Sequence, residues 1–152
     1  MNGFDPESLK GVAAECPGFQ ARATARALTR YYNACFKPLG LTAEQFSLLV
    51  GIGAAEGATL VDLADRAGVD PTTLSRNVKN LESRDLVCAK GGRGCAGKRL
   101  ALTTSGRRLL VDALPVWNWA KAELTRHMGD EKLRSVKQAM AELAKAAESS
   151  CT

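Results

Sequence analysis

The residues best placed to do chemistry lie between positions 71 and 84. On a helical wheel with ~100° per residue, Leu74, Val78 and Leu81 cluster on one side and form an apolar face. Thr72, Arg76, Lys79 and Ser83 lie on the opposite side, with Asn80 beside them. Arginine can donate two parallel hydrogen bonds to guanine O6 and N7, and threonine or asparagine can reach base edges and phosphates. A single helix of this kind fits the major groove of DNA. The plainer alternative is an amphipathic surface helix whose outer side is merely polar.

The charge around this segment favours the first reading. The chain of 152 residues carries 21 Lys plus Arg and 16 Asp plus Glu, for a net charge of +5. Over residues 71–108 the basic side chains are Arg76, Lys79, Arg84, Lys90, Arg93, Lys98, Arg99, Arg107 and Arg108, opposed only by Glu82 and Asp85. That segment holds a net +7, and the rest of the chain −2. A near-neutral body with one strongly basic segment is the pattern of a local polyanion-binding surface, although a solvated charged face has the same composition.

Enzyme chemistry is poorly supported. There is one histidine, His127, and it sits near a predicted helix end, where the helix dipole would stabilise its charged form. No glycine-rich phosphate loop follows a strand, no carboxylate pair occupies inward positions, and nothing brings a cysteine to His127. The cysteines, at 16, 35, 88, 95 and 151, form no CxxC, so neither a structural zinc site nor a cofactor is expected. With 45% hydrophobic and 24% charged residues the composition is globular. The longest apolar run, residues 48–55, is far below the ~20 residues a membrane span needs. Asp5 and Glu7 stand where a secretory signal would be apolar, so a soluble, cytoplasmic protein is expected.

The elements that must position the basic face follow from periodicity and punctuation. Residues 1–17, with Pro6, Gly11 and Pro17, read as a loosely ordered arm. Residues 18–37 are helical, with Phe19, Ala23, Ala27, Tyr31 and Cys35 recurring every four residues, and Pro38 and Gly40 end the pattern. Thr42 with Gln45 makes a capping box for a helix over 43–55. Residues 59–61 suit a short extended segment. A helix over 61–67 stops at Gly68, and Asp70 caps the next, with Pro71 at its favoured first position. Residues 86–90 and 98–102 are strand-like and flank a glycine-rich link, a β-hairpin. A long helix follows from about 103–105 to 127, with a bend expected at Pro115. The last helix, 131–147, carries Leu133, Val136, Met140, Leu143 and Ala147 in a stripe that needs a partner helix.

Helix, tight turn, helix and hairpin is the order of a winged helix-turn-helix. The string LVDLADRAGVDPTTLSRNVKNLESRDLV at residues 60–87 resembles the DNA-binding core of the MarR family of bacterial transcription regulators. GLTAEQFSLL at 40–49 resembles the family's second helix, and KRLALTTSGRRLL at 98–110 its second wing strand and following helix. The likeness spans roughly residues 18–124. It implies a fold that is mainly α with a small β-hairpin wing, a winged helix-turn-helix plus a helical dimerisation region. The corresponding divisions are an N-terminal arm and dimerisation helix at 1–40, the DNA-binding domain at 41–108 and C-terminal dimerisation helices at 109–152. It also implies a homodimer on an inverted-repeat operator in double-stranded DNA, usually a repressor, released by a small-molecule effector or by thiol oxidation.

Family-like DNA contacts map onto Thr72, Thr73, Ser75, Arg76 and Lys79, with Asn80, Lys98 and Arg99 adjoining them, and Arg93 stands at the place of the wing arginine. The family's wing usually reads Asp-x-Arg-Asp-x-Arg, whereas here Gly91, Gly92, Arg93, Gly94, Cys95 and Ala96 lack both aspartates and the second arginine. Asp85 also replaces a common glycine. A winged helix that binds another protein rather than DNA is a further class, against which the +7 segment argues.

The resemblance places an effector pocket beneath the first, second and fifth helices of the family. Arg22, Arg26 and Arg30, in an i, i+4, i+8 stripe, are candidates for it with Phe46 and Trp117. The stripe can equally be a solvated face or make intersubunit ion pairs, and Trp117 and Trp119 suit core packing. Some MarR-like proteins carry a reactive cysteine at the start of the first helix, close to the place of Cys16. A helix beginning near Gly18 would favour its thiolate. Cys151 follows the last helix and could bridge to Cys16 of a second subunit if their Cα atoms come within ~7 Å. Cys95 lies among wing cations that would raise its reactivity. Cys35 and Cys88 read as small buried hydrophobes, and all five thiols can equally be reduced bystanders.

Overall fold

The computed structural model of the chain describes residues 5–91 and 97–150. Arg93, Cys95 and Cys151 therefore lie outside the described residues. The chain divides into two compact units, one ending at Ala113 and one starting at Leu114.

The first unit opens more regularly than its composition suggests. Asp5 accepts a hydrogen bond from the Glu7 N–H (3.0 Å) and caps a 3₁₀ turn, Pro6–Leu9. A short helix, α1 (Val12–Glu15), follows Gly11, whose φ of 93° opens it. The expected loose arm is thus corrected to two short helical turns, because local caps satisfy its backbone. Helix α2 (Pro17–Phe36) has proline at its first position and buries only Phe36. A 3₁₀ turn at Lys37–Leu39 ends on left-handed Gly40.

Helix α3 (Ala43–Ala54) begins at the expected capping box. Thr42 accepts from the Gln45 N–H (3.2 Å), and the Gln45 side chain accepts from the Thr42 N–H (3.1 Å). Helix α4 (Leu60–Ala67) has a second box, in which Asp62 accepts from the Thr59 N–H (2.9 Å) and Thr59 accepts in return (3.2 Å). The Thr59 N–H and, with it, the Thr59 hydroxyl donate to the Asp62 carboxyl and hold it below its usual range. The helix therefore starts one residue earlier than periodicity indicated. Gly68, with φ 62°, turns the chain, and α5 (Pro71–Ser83) follows at once.

Strands β1 (Val87–Lys90) and β2 (Arg99–Leu102) pair antiparallel, with Val87 opposite Leu102 and Lys90 opposite Arg99. The extended reading of residues 59–61 holds at Thr59, which bridges to Arg99. The Gly57 N–H donates to the Leu100 carbonyl and the Leu100 N–H to the Ala58 carbonyl, each at 3.0 Å. The chain between α3 and α4 thus forms a third edge against β2.

The core of this unit is one apolar cluster. Phe36 stacks on Phe46 with centroids 4.5 Å apart. Leu49 and Ile52 of α3, Leu63 and Ala64 of α4, Leu74, Val78 and Leu81 of α5, and Leu86, Val87 and Leu100 of the hairpin are all buried. Each large aliphatic group contributes about 1.5–3 kcal/mol by leaving water. Helix α6 (Thr104–Met128) starts hard against the hairpin: a Cβ at Gly106 would overlap the Leu86 carbonyl, so only glycine fits there. Asp85 takes the left-handed conformation at φ 55°, one that Asp tolerates better than most residues. Its carbonyl accepts from the Thr103 hydroxyl at 2.5 Å.

Helix α6 runs on through Pro115 and into the second unit. There Lys121 Nζ lies 4.8 Å from the Trp117 ring centroid, and Arg126 pairs with Glu123 at 2.7 Å. Gly129, with φ 84°, leads into α7 (Asp130–Ser149), none of whose residues is buried. Trp119, Val136, Met140 and Leu143 are exposed. No described helix is long and apolar enough to cross a membrane.

Candidate nucleic-acid interface

The interface is built on α5. Asp70 starts it by accepting from the Thr72 N–H (2.8 Å) and the Thr73 N–H (3.3 Å). These bonds, Thr72's first, hold the Asp70 carboxyl below its usual range. The cap is therefore in place above the ordinary carboxylate range and is lost only as acid protonates Asp70. Leu74, Val78 and Leu81 face inward as the wheel requires, which turns Thr72, Arg76, Lys79 and Ser83 to solvent.

The structure gathers some predicted residues and diverts others. Ser75, Lys79, Glu82 and Lys98 line one small cleft between α5 and the hairpin, together with Leu100 and Ala89, so its two ammonium groups outnumber its one carboxylate. Two ammonium groups beside one cleft attract an anion such as a phosphate oxygen. The ion pairs among the described residues are Lys10–Glu7, Arg107–Glu56 and Arg126–Glu123, so Arg76, Lys79 and Lys98 form no ion pair there. Arg99 instead donates to the Gly57 carbonyl at 2.9 Å. Arg107 is held by Glu56 at 2.7 Å, and Arg84 donates to Gln45 at 3.3 Å. Asn80 is exposed, but its carboxamide oxygen accepts from Gln45 Nε2 at 2.9 Å.

The first unit holds a groove that lies away from the pocket candidates of that unit. It has a volume of about 510 Å³ and runs among α3, α4 and α5, lined by Leu48, Leu63, Val69, Leu74 and Ala54 with Arg66, Glu44, Thr73 and Asn77 at polar positions. None of Arg22, Arg26, Arg30, Phe46 or Trp117 lines it. The three arginines lie on the exposed side of α2, and Arg22 stacks over Phe19 at 5.1 Å. Phe46 is spent in the core against Phe36, and Trp117 belongs to the second unit. Sequence periodicity missed the groove because separate helices, α3, α4 and α5 with Thr29 of α2, contribute its walls. Among the described residues no cluster of His, Cys, Asp or Glu could hold a metal.

Cys16 is the N-cap residue of α2 and is half-buried. Hydrogen bonds from the Phe19 and Gly18 backbone N–H groups, with the nearby Arg22 charge, hold its thiol below the ordinary range. Iodoacetamide should accordingly alkylate Cys16 with a pH profile that turns over below that of a free thiol. A profile matching free cysteine, read by peptide mass spectrometry, would remove the activated thiolate. Cys35 and Cys88 are half-buried rather than fully enclosed, since each sits at the margin of its apolar face.

A capped recognition helix after a tight turn, flanked by a two-stranded wing and presenting cations to solvent, defines a winged helix-turn-helix regulator. The chain belongs to the MarR family. The MarR family model matches residues 39–94. The crystal structure of the M. tuberculosis transcriptional regulator MosR is 37% identical, with a TM-score of 0.79, covering 90% of this chain and 98% of that one. The same regulator in complex with DNA is also 37% identical, with a TM-score of 0.77 over 88% and 97% of the two chains. The repressor CouR bound to p-coumaroyl-CoA shares the fold at 24% identity, with a TM-score of 0.76 over 89% and 96%. No curated protein matches the chain. The protein is a MarR-family, DNA-binding transcription regulator.

Proposed function

We propose that the protein is a homodimeric repressor in the cytoplasm, where its DNA is, and that it binds an inverted-repeat operator. The observation that carries this reading is the outer face of α5, where Thr72, Arg76 and Lys79 are exposed, Lys98 lines a cleft with Lys79, and none of these cations is held in an ion pair among the described residues. Thr73 and Ser75 add hydrogen-bonding groups at the helix start, and Arg93 of the wing is assigned to the minor groove. Residues 41–108 are the DNA-binding domain. Residues 1–40 and 109–152 are the dimerisation regions. Two recognition helices related by a twofold axis meet successive major grooves, so half-sites lie about one helical turn, ~10 bp, apart.

A small anionic or aromatic ligand releases the operator. The α3–α5 groove supports this, since its apolar walls suit a ring, Arg66 suits a carboxylate, and Thr73, Leu74 and Asn77 belong to the recognition helix itself. CouR, the more distant relative, binds p-coumaroyl-CoA. A second reading, release by oxidation, is favoured by the activated Cys16 thiol.

A gel-shift titration on the DNA upstream of the protein's own gene tests the central claim. One dimer per site should bind, more weakly as salt rises. Equal affinity for unrelated duplexes at every salt concentration would refute sequence-specific regulation. Peroxide treatment of wild type and Cys16→Ser, beside a thermal-shift screen of aromatic acids, separates the two release mechanisms.

A further inference from the structure

Gln45 makes more contacts than a helix cap requires. Its side-chain Oε1 accepts from the Thr42 N–H at 3.1 Å and from an Arg84 guanidinium nitrogen at 3.3 Å. Both partners are donors only, which fixes which end of the amide is oxygen. Nε2 must then point the other way, and it donates to Asn80 Oδ1 at 2.9 Å. Asn80 is thereby oriented in turn, with its oxygen toward α3 and its Nδ2 amino group left for an outside acceptor. Asn80 lies on the flank of the exposed face of α5, next to Lys79.

We propose that Gln45 is a positioning residue for DNA recognition: it holds the Asn80 carboxamide with its amino end outward, where it donates to a DNA phosphate. Bidentate reading of adenine requires a donor and an acceptor presented together. With Oδ1 turned to Gln45, Asn80 presents only the donor. It therefore anchors the backbone and does not read a base. The same amide links the start of α3 to Asn80 of α5 and to Arg84 just after it, so one side chain ties the Asn80 carboxamide to α3 while the buried leucines and Val78 set the face of the helix. This rests on the outer face of α5 being the DNA-contacting face.

The test uses the full-length dimer and a duplex carrying the DNA upstream of its own gene, with affinity read by fluorescence anisotropy. Asn80→Ala should weaken binding about two- to tenfold, the worth of one hydrogen bond, and evenly across operator variants. Gln45→Ala should weaken it at least as much, and adding Asn80→Ala to it should cost little more. Gln45→Glu separates positioning from stability: the carboxylate can still accept from Thr42 and Arg84 but cannot donate to Asn80. Its loss of affinity should exceed the loss that the same change causes in an Asn80→Ala background, which measures the added charge alone. Losses that multiply across both pairs, wild-type affinity in either Gln45 variant, or an Asn80→Ala effect confined to one base pair would each overturn the proposal. Normal binding by Arg76→Ala would instead show that the α5 face itself is misassigned.

Discussion

Arg76→Ala lowers operator affinity by about 1–3 kcal/mol, roughly five- to 150-fold, and relaxes the sequence preference at one position in each half-site. Arg76 stands near the centre of the exposed face of α5, fixed there because Leu74 and Val78 on either side of it in sequence are buried. Its guanidinium meets no carboxylate among the described residues, so binding does not first have to break an ion pair. Lys79→Ala, by contrast, should weaken all sequences alike and reduce the salt slope by about one phosphate contact. Competition binding against a set of single-base operator variants distinguishes the two effects. An Arg76→Ala protein with unaltered preference would show that the base-reading residue lies elsewhere.

Deleting the chain after Asp130 yields a monomer or an insoluble protein, with operator affinity reduced by about 10²–10⁴-fold. Helix α7 has no buried residue, and Val136, Met140 and Leu143 form an exposed apolar stripe. Leu114 and Trp119 of α6 are exposed as well. An apolar stripe left exposed along a whole helix calls for a partner, and the second subunit is the one the proposed dimer supplies. Two half-sites bound by linked recognition helices gain the effective-concentration advantage that a monomer forfeits. Sedimentation of the truncated protein, followed by anisotropy on full and half operators, checks both parts. A stable dimer binding the full operator with wild-type affinity would exclude α7 from the interface.

What the sequence determined by itself were features whose causes are local. Helical period placed Leu74, Val78 and Leu81 inward. Caps at Thr42 and Asp70 set the starts of α3 and α5, and the positive-φ glycines at 40 and 68 set turns. The MarR likeness was legible for the same reason, since its core motif is contiguous in the chain. The second capping box was missed because Asp62 stands where Glu or Gln is usual.

Only the tertiary structure decided how the basic segment is spent. A charge count treats Arg84, Arg99 and Arg107 as equal to Arg76 and Lys79. Folding brings Gln45, the Gly57 carbonyl and Glu56, residues distant along the chain, against the first three and leaves the others facing solvent. The groove and the Gln45–Asn80 contact arise likewise from elements joined only by packing. Hydrogen bonds and ion pairs act over about 3–4 Å. Their partners are therefore chosen by which helices meet in space, and no periodicity along the chain encodes that choice.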